Sequence, residues 1–196
     1  MKNFILIALL SIFITSNVFS SEISREFSNL DPGNVVPKGR LAKALKFYSE
    51  NQSIIKNKNV IGVIDFSQHS SKERFYIIDM QSGLVDTYQT AHGKNSDPDH
   101  DGYATQFSNV EGSLMSSQGI YLTAETYEGT YGYSLTLDGK SSTNSNARSR
   151  FIVIHPAPYV VAGQMAGRSW GCPALDPGIS EQLIDRIKEG AVIYAE

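Results

Sequence analysis

A single cysteine occurs among the 196 residues, and that scarcity excludes an internal disulfide. Four widely spaced histidines and one cysteine assemble no zinc cluster, so no metal is expected. There is no basic run and the formal net charge is -3, which excludes a nucleic-acid footprint. Apolar runs stay well short of the ~20 residues that cross a bilayer comfortably. Internal repeats and low-complexity tracts are missing too. What is present is ordinary globular composition, 41% hydrophobic and 19% charged, at a length suited to one domain. Ten Tyr and nine Phe against one Trp suit a strand-rich body.

The first twenty residues differ from the rest. Lys2 is a short positive region, Phe4 to Ile14 is apolar apart from Ser11, and Val18-Phe19-Ser20 offers a cut after Ser20. That three-part layout is a secretory signal peptide. The competing reading, a membrane anchor, needs a longer apolar run. No cysteine follows at which a lipid could be attached. The chain is therefore expected to be exported, with the periplasm as its location and no stable membrane anchor after cleavage. Residues 21–37, with Asp31-Pro32-Gly33 and Pro37, read as a linker.

Leu41, Ala44, Leu45 and Tyr48 follow helical spacing and predict a packing helix over Lys38 to Glu50. Strands are expected at Val60–Phe66, Phe75–Met80, Leu84–Ala91, Gly119–Thr123, Tyr133–Leu137, Phe151–His155 and Ala191–Ala195. A polar loop covers Gly93 to Gln106, and a Pro- and Gly-rich loop covers 156–171. Asp176 can cap a second helix that begins at Pro177 and stops at Gly190. The fold class is mainly β with a few helices, α+β, in a single domain.

An unpaired thiol on an exported chain invites oxidation, so Cys172 calls for a use. It lies in Ser169-Trp170-Gly171-Cys172-Pro173. A free thiol has a pKa near 8.5 and needs a base to be an effective nucleophile at neutral pH. His155, at the end of an apolar run, is the candidate base. Gly171 lets the backbone approach a substrate carbonyl closely, and the N–H groups near Gly171 and Cys172 are then candidates for an oxyanion hole. The competing readings are a small buried hydrophobe for Cys172 and a strand-end cap for His155.

These residues carry a resemblance. His155 through Gly167-Arg168-Ser169-Trp170-Gly171-Cys172-Pro173-Ala174 resembles the active-site signature of YkuD-type L,D-transpeptidases, exported bacterial enzymes that act on peptidoglycan stem peptides. The likeness is closer to a divergent branch, the murein L,D-transpeptidase catalytic domain family, over most of Val60 to Glu196. It includes Ala91-His92-Gly93, Phe107-Ser108-Asn109, Gly112-Ser113, Tyr127-Glu128-Gly129 and Asn146-Ala147-Arg148. The resemblance implies a β-sandwich or barrel catalytic domain over 38–196. It also implies attack by Cys172 on a tetrapeptide stem, His155 as proton acceptor, a thioester, and release of D-alanine. No cofactor is needed. An amine acceptor gives a cross-link and water gives L,D-carboxypeptidase action. A silent peptidoglycan-binding module is a third reading. Trp170 and Ala174 depart from the main family, which has His and Asn or Arg there, and both bear on donor recognition.

Four more residues are candidates for substrate binding. His92 either lines the donor pocket, orients His155, or is a surface histidine. Arg168 suits a substrate carboxylate, or is a solvated loop charge. Ser169 can hydrogen-bond the loop or the substrate. Trp170 walls the pocket or anchors the loop in the core. Asp97 to Gly102 resembles half a calcium loop but lacks the bidentate Glu and flanking helices.

Overall fold

The computed structural model describes residues 26–196. The expected signal peptide and the first part of the expected linker lie outside the described residues. The remainder of that linker belongs to the domain. Leu30 and Val36 are buried, and the Asp31 carboxylate accepts the N–H groups of Val35 and Val36 at 2.8 and 2.9 Å. The Pro/Gly turn signals conceal two apolar residues that have a core to fill.

Helix α1 spans Lys38–Glu50 and buries Ala44, Leu45 and Tyr48, the face expected from their spacing. Ten strands follow in chain order: β1 Val60–Ile64, β2 Glu73–Asp79, β3 Val85–Gln89, β4 His92–Gly93, β5 Gly119–Gly129, β6 Gly132–Gly139, β7 Val153–Pro156, β8 Arg168–Ser169, β9 Ala174–Leu175 and β10 Val192–Ala195. Helix α2, Pro177–Ile187, lies before β10. Its N-cap is Asp176, whose carboxylate accepts the Gly178 N–H at 2.7 Å.

Eight strands form one mixed sheet in the order β3-β2-β1-β10-β5-β6-β7-β9, and β4 pairs with β8 separately. Within the large sheet only β1–β10 and β7–β9 are parallel. The sheet curls until its edges meet, where the Ala91 N–H, just past β3, donates to Ala174 O of β9 at 3.0 Å. Both faces are covered, so β1 is buried at every position. Ile61, Val63, Ile78 and Val192 face the α1 side. Phe75, Ile77, Ile154 and Ile193 face Leu183, Ile184 and Ile187 of α2.

Strand β5 runs six residues beyond the expected Thr123. A bulge at Thr123/Thr126 turns the β5–β6 hairpin outward, where pairing continues without burial. Its tip carries Tyr131 towards β7. Among the described residues no helix is long and apolar enough to cross a membrane.

Candidate active site

His155 lies on β7, and Cys172 lies in the turn that leads into the adjacent β9. In the parallel β7–β9 ladder His155 is the register partner of Ala174, two residues past the cysteine. His155 is buried, and its Nδ1–H donates to Pro156 O at 2.8 Å. A carbonyl can only accept, so the proton sits on Nδ1 and Nε2 keeps a basic lone pair. Burial pushes the imidazole pKa down, partly opposed by that hydrogen bond. The Tyr131 ring lies over the imidazole, with centroids 4.9 Å apart.

Cys172 keeps some solvent contact while protein atoms crowd its sulfur. Its thiol donates to Phe151 O at 3.5 Å. Burial pushes the thiol pKa up to about 11, against a backbone hydrogen bond from Val153 and the charge of Arg150. With the thiol raised and the imidazole lowered, the resting pair is neutral thiol and neutral imidazole.

The turn that carries Cys172 is fixed from inside. Ser169 Oγ donates to Cys172 O at 2.7 Å and accepts the Gly171 N–H at 3.1 Å. Ser169 is buried in this clamp, so its hydroxyl serves the loop. Gly171 has φ +125°, and a Cβ there would sit 2.6 Å from Met115 O and 2.9 Å from Ile152 Cδ1. The close approach expected at Gly171 therefore admits the protein's own backbone, and the Gly171 N–H expected in the oxyanion hole is engaged by Ser169. Ser116 Oγ ties the turn to β4, accepting the Gly93 N–H at 3.0 Å and donating to Gly171 O at 3.1 Å.

Trp170 is 69% exposed, which rules out the core anchor. Phe151 is 79% exposed and has φ +55°, a left-handed conformation that costs a side-chain-bearing residue about 1–2 kcal/mol. Tyr159 is 37% exposed, and desolvation of its phenol by the surrounding protein pushes it up to about 12.

Arg168 donates from Nη1 to Lys94 O at 3.2 Å and to Asp97 O at 3.0 Å. Part of its donor capacity thus holds the neighbouring loop. His92, its ladder partner, is 1% exposed and so neither a surface histidine nor a pocket wall. Its Nδ1 accepts from Arg74 Nη2 at 2.8 Å, and its Nε2–H donates to Asp97 Oδ2 at 3.4 Å. Arg74 is fully buried and also donates to Thr90 O and Gln68 O. Burial first, then Arg74, pushes the His92 pKa down to about 4. Burial lowers Arg74 to about 9, still protonated at neutral pH. Burial alone would raise Asp97, but N–H donors from Gly102 and Asp101 and its contact with His92 hold it below the usual carboxylate range. That internal bonding accounts for the 97–102 loop. Among the described residues no group of three or more metal-ligating side chains converges.

Sequence reasoning missed Arg74, Ser116, Tyr131 and Arg150. Arg74 looked like the end of a polar connection, and the other three reach the site through loops and a hairpin tip. A family model described as the L,D-transpeptidase catalytic domain matches residues 34–195. The chain belongs to that family. No curated protein matches the chain. Among solved structures, an L,D-transpeptidase from Mycobacterium smegmatis is similar at 14% identity and TM-score 0.44, over 70% of this chain and 58% of that one. One from Mycobacterium tuberculosis H37Rv gives 16% and 0.46, over 70% and 57%. The helical cell shape determining protein Pgp2 of Campylobacter jejuni gives 14% and 0.45, over 82% and 57%. This L,D-transpeptidase domain thus spans less than two thirds of those chains.

Proposed function

We propose that this domain is an exported L,D-transpeptidase that forms a thioester on Cys172 with His155 as its base. The observation that carries the reading is the His155 tautomer. Its Nδ1–H is held by Pro156 O, so the basic Nε2 belongs to a rigid, buried ring on β7, which pairs with β9 two residues after the cysteine. Family membership supports peptidoglycan stem peptides as the substrate.

The Cys172 proton passes to His155 Nε2 as sulfur attacks the carbonyl of the L-centre in a tetrapeptide stem. The tetrahedral oxyanion takes the Cys172 N–H, since Ser169 holds that of Gly171. Collapse breaks the amide bond, the imidazolium returns its proton to the departing D-alanine amine, and the thioester remains. An acceptor amine then attacks, His155 takes its proton, and Cys172 leaves as the thiol.

A defined mixture of tetrapeptide muropeptides tests this by product mass. Cross-linked dimers are the expected result. Tripeptide alone means hydrolysis, and no D-alanine release together with no acylation by a carbapenem means a silent binding module. Export rests on Lys2, the apolar stretch Phe4–Ile14 and the cut after Ser20. Fractionation should find mature protein outside the cytoplasm, starting at Ser21.

A further inference from the structure

We propose that Arg150 is a positioning residue for the nucleophile: its guanidinium holds the Met115 carbonyl against the Cys172 turn and supplies the fixed positive charge that favours the thiolate. This deepens the reading of Cys172 as the acyl carrier and rests on it.

Arg150 is half-buried and donates three hydrogen bonds. They go to Ser108 O and Met115 O at 2.6 Å each and to Ser113 Oγ at 3.2 Å. Met115 O is the atom that closes on Gly171, next to the cysteine. One residue further along, Phe151 offers its carbonyl to the Cys172 thiol. The pair Arg150-Phe151 therefore touches the nucleophile's turn twice, once through Met115 and once directly.

These two contacts act in opposite directions on the sulfur. A carbonyl oxygen stabilises an S–H and repels a thiolate, so Phe151 O favours the resting thiol. A guanidinium stabilises the thiolate and keeps its proton at neutral pH. Burial lowers Arg150 itself, and Tyr121 and Cys172 draw it back up. The other titratable groups around the sulfur carry little charge. His155, across the β7–β9 ladder, is lowered by burial. Tyr121, bonded to Ser117, and Tyr159 are both pushed up to about 12 by burial. Arg150 is thus the fixed charge among the described residues that act on Cys172.

The test reads the thiol, not the transferase. Alkylation of the full chain by iodoacetamide is followed by mass across pH. Arg150→Gln keeps donors without charge, and Arg150→Lys keeps charge with poorer geometry. The glutamine variant is expected to alkylate about three- to tenfold more slowly near neutral pH, with its midpoint moved up. The lysine variant, whose ammonium is charged near neutral pH, should keep a rate there close to that of wild type while melting earlier. Equal alkylation rates near neutral pH in the two folded variants would overturn the proposal. If the glutamine variant does not fold, Arg150→Met, which removes the charge but keeps the apolar length, carries the test and should slow alkylation near neutral pH to a similar degree. A rate equal to that of wild type would then overturn it. Failure of the enzyme reading looks different: turnover that survives Cys172→Ala leaves this thiol profile unchanged.

Discussion

His155 and His92 are both buried, and burial lowers the pKa of both, yet their surroundings assign them opposite work. His92 has both ring nitrogens engaged, one by Arg74 and one by Asp97. His155 has one nitrogen engaged by Pro156 O and the other left with a lone pair, on a strand paired with β9 just after the Cys172 turn. A buried histidine with two fixed partners is a strut. One with a single carbonyl partner is oriented and still able to accept a proton. Burial and shifted pKa alone do not separate the two; the count of engaged nitrogens does.

The largest expected effects fall on the open side of this comparison. Cys172→Ala should abolish turnover and His155→Gln should lower kcat by about 10²–10⁴-fold, each leaving the melting midpoint near wild type. Kinetics on tetrapeptide substrate beside thermal unfolding checks both. A His155→Gln protein with full activity would sink the assignment of the base.

Removing a strut should do the reverse. Arg74→Met leaves His92 without its donor and Thr90 O and Gln68 O without theirs. Breaking a buried charged cluster of this kind costs about 3–5 kcal/mol. Urea unfolding should show that loss, with activity falling only as folded protein is lost. His92→Gln should cost less, about 1–3 kcal/mol, because an amide can still bond one neighbour.

How much of this was legible in the sequence follows from range. Helix α1 could be read to its ends because Leu41, Ala44, Leu45 and Tyr48 repeat at helical spacing within one turn or two. Cys172 and His155 stood out because a lone thiol and a strand-end histidine are local signals. Arg74 did not, because β2 starts two residues before its apolar run and carries the charge inward where the pattern looks polar. Ser116 and Gly171 are joined across 55 positions by a hydroxyl, and no periodicity encodes such a bond. Read from the sequence, Gly171 lets its backbone approach a substrate carbonyl; in the fold the carbonyl that closes on it is that of Met115, a contact no local pattern encodes.

The strut also predicts a pH dependence. His92 has a folded pKa of about 4 against an ordinary 6.5, so the unfolded chain binds more protons between those values. Stability from this group is complete above about pH 6.5 and is lost as pH falls towards 4. The shift corresponds to at most about 3 kcal/mol. Asp97, held low, adds a further loss at more acid pH. Melting midpoints from pH 7 to 4 should fall in wild type and fall less steeply in His92→Gln. Identical slopes would mean that His92 is not kept neutral by its partners.

The smallest effect concerns the acceptor of the Cys172 thiol. Phe151 holds φ +55° at the close of the turn, where its N–H donates to Arg148 O and the Ile152 N–H to Ala147 O. That pattern is the left-handed end of a Schellman turn, a position glycine fills most easily. Phe151→Gly removes about 1–2 kcal/mol of backbone strain and adds about 0.5–1 kcal/mol of chain entropy cost. The net gain should be at most about 1.5 kcal/mol, visible as a slightly higher urea midpoint. The carbonyl that meets Cys172 belongs to the backbone and survives the change, while the exposed ring is lost. A more stable variant with a raised KM would make that ring a substrate contact held there at a cost in stability. One with unchanged KM would leave the strain without a purpose at the donor site.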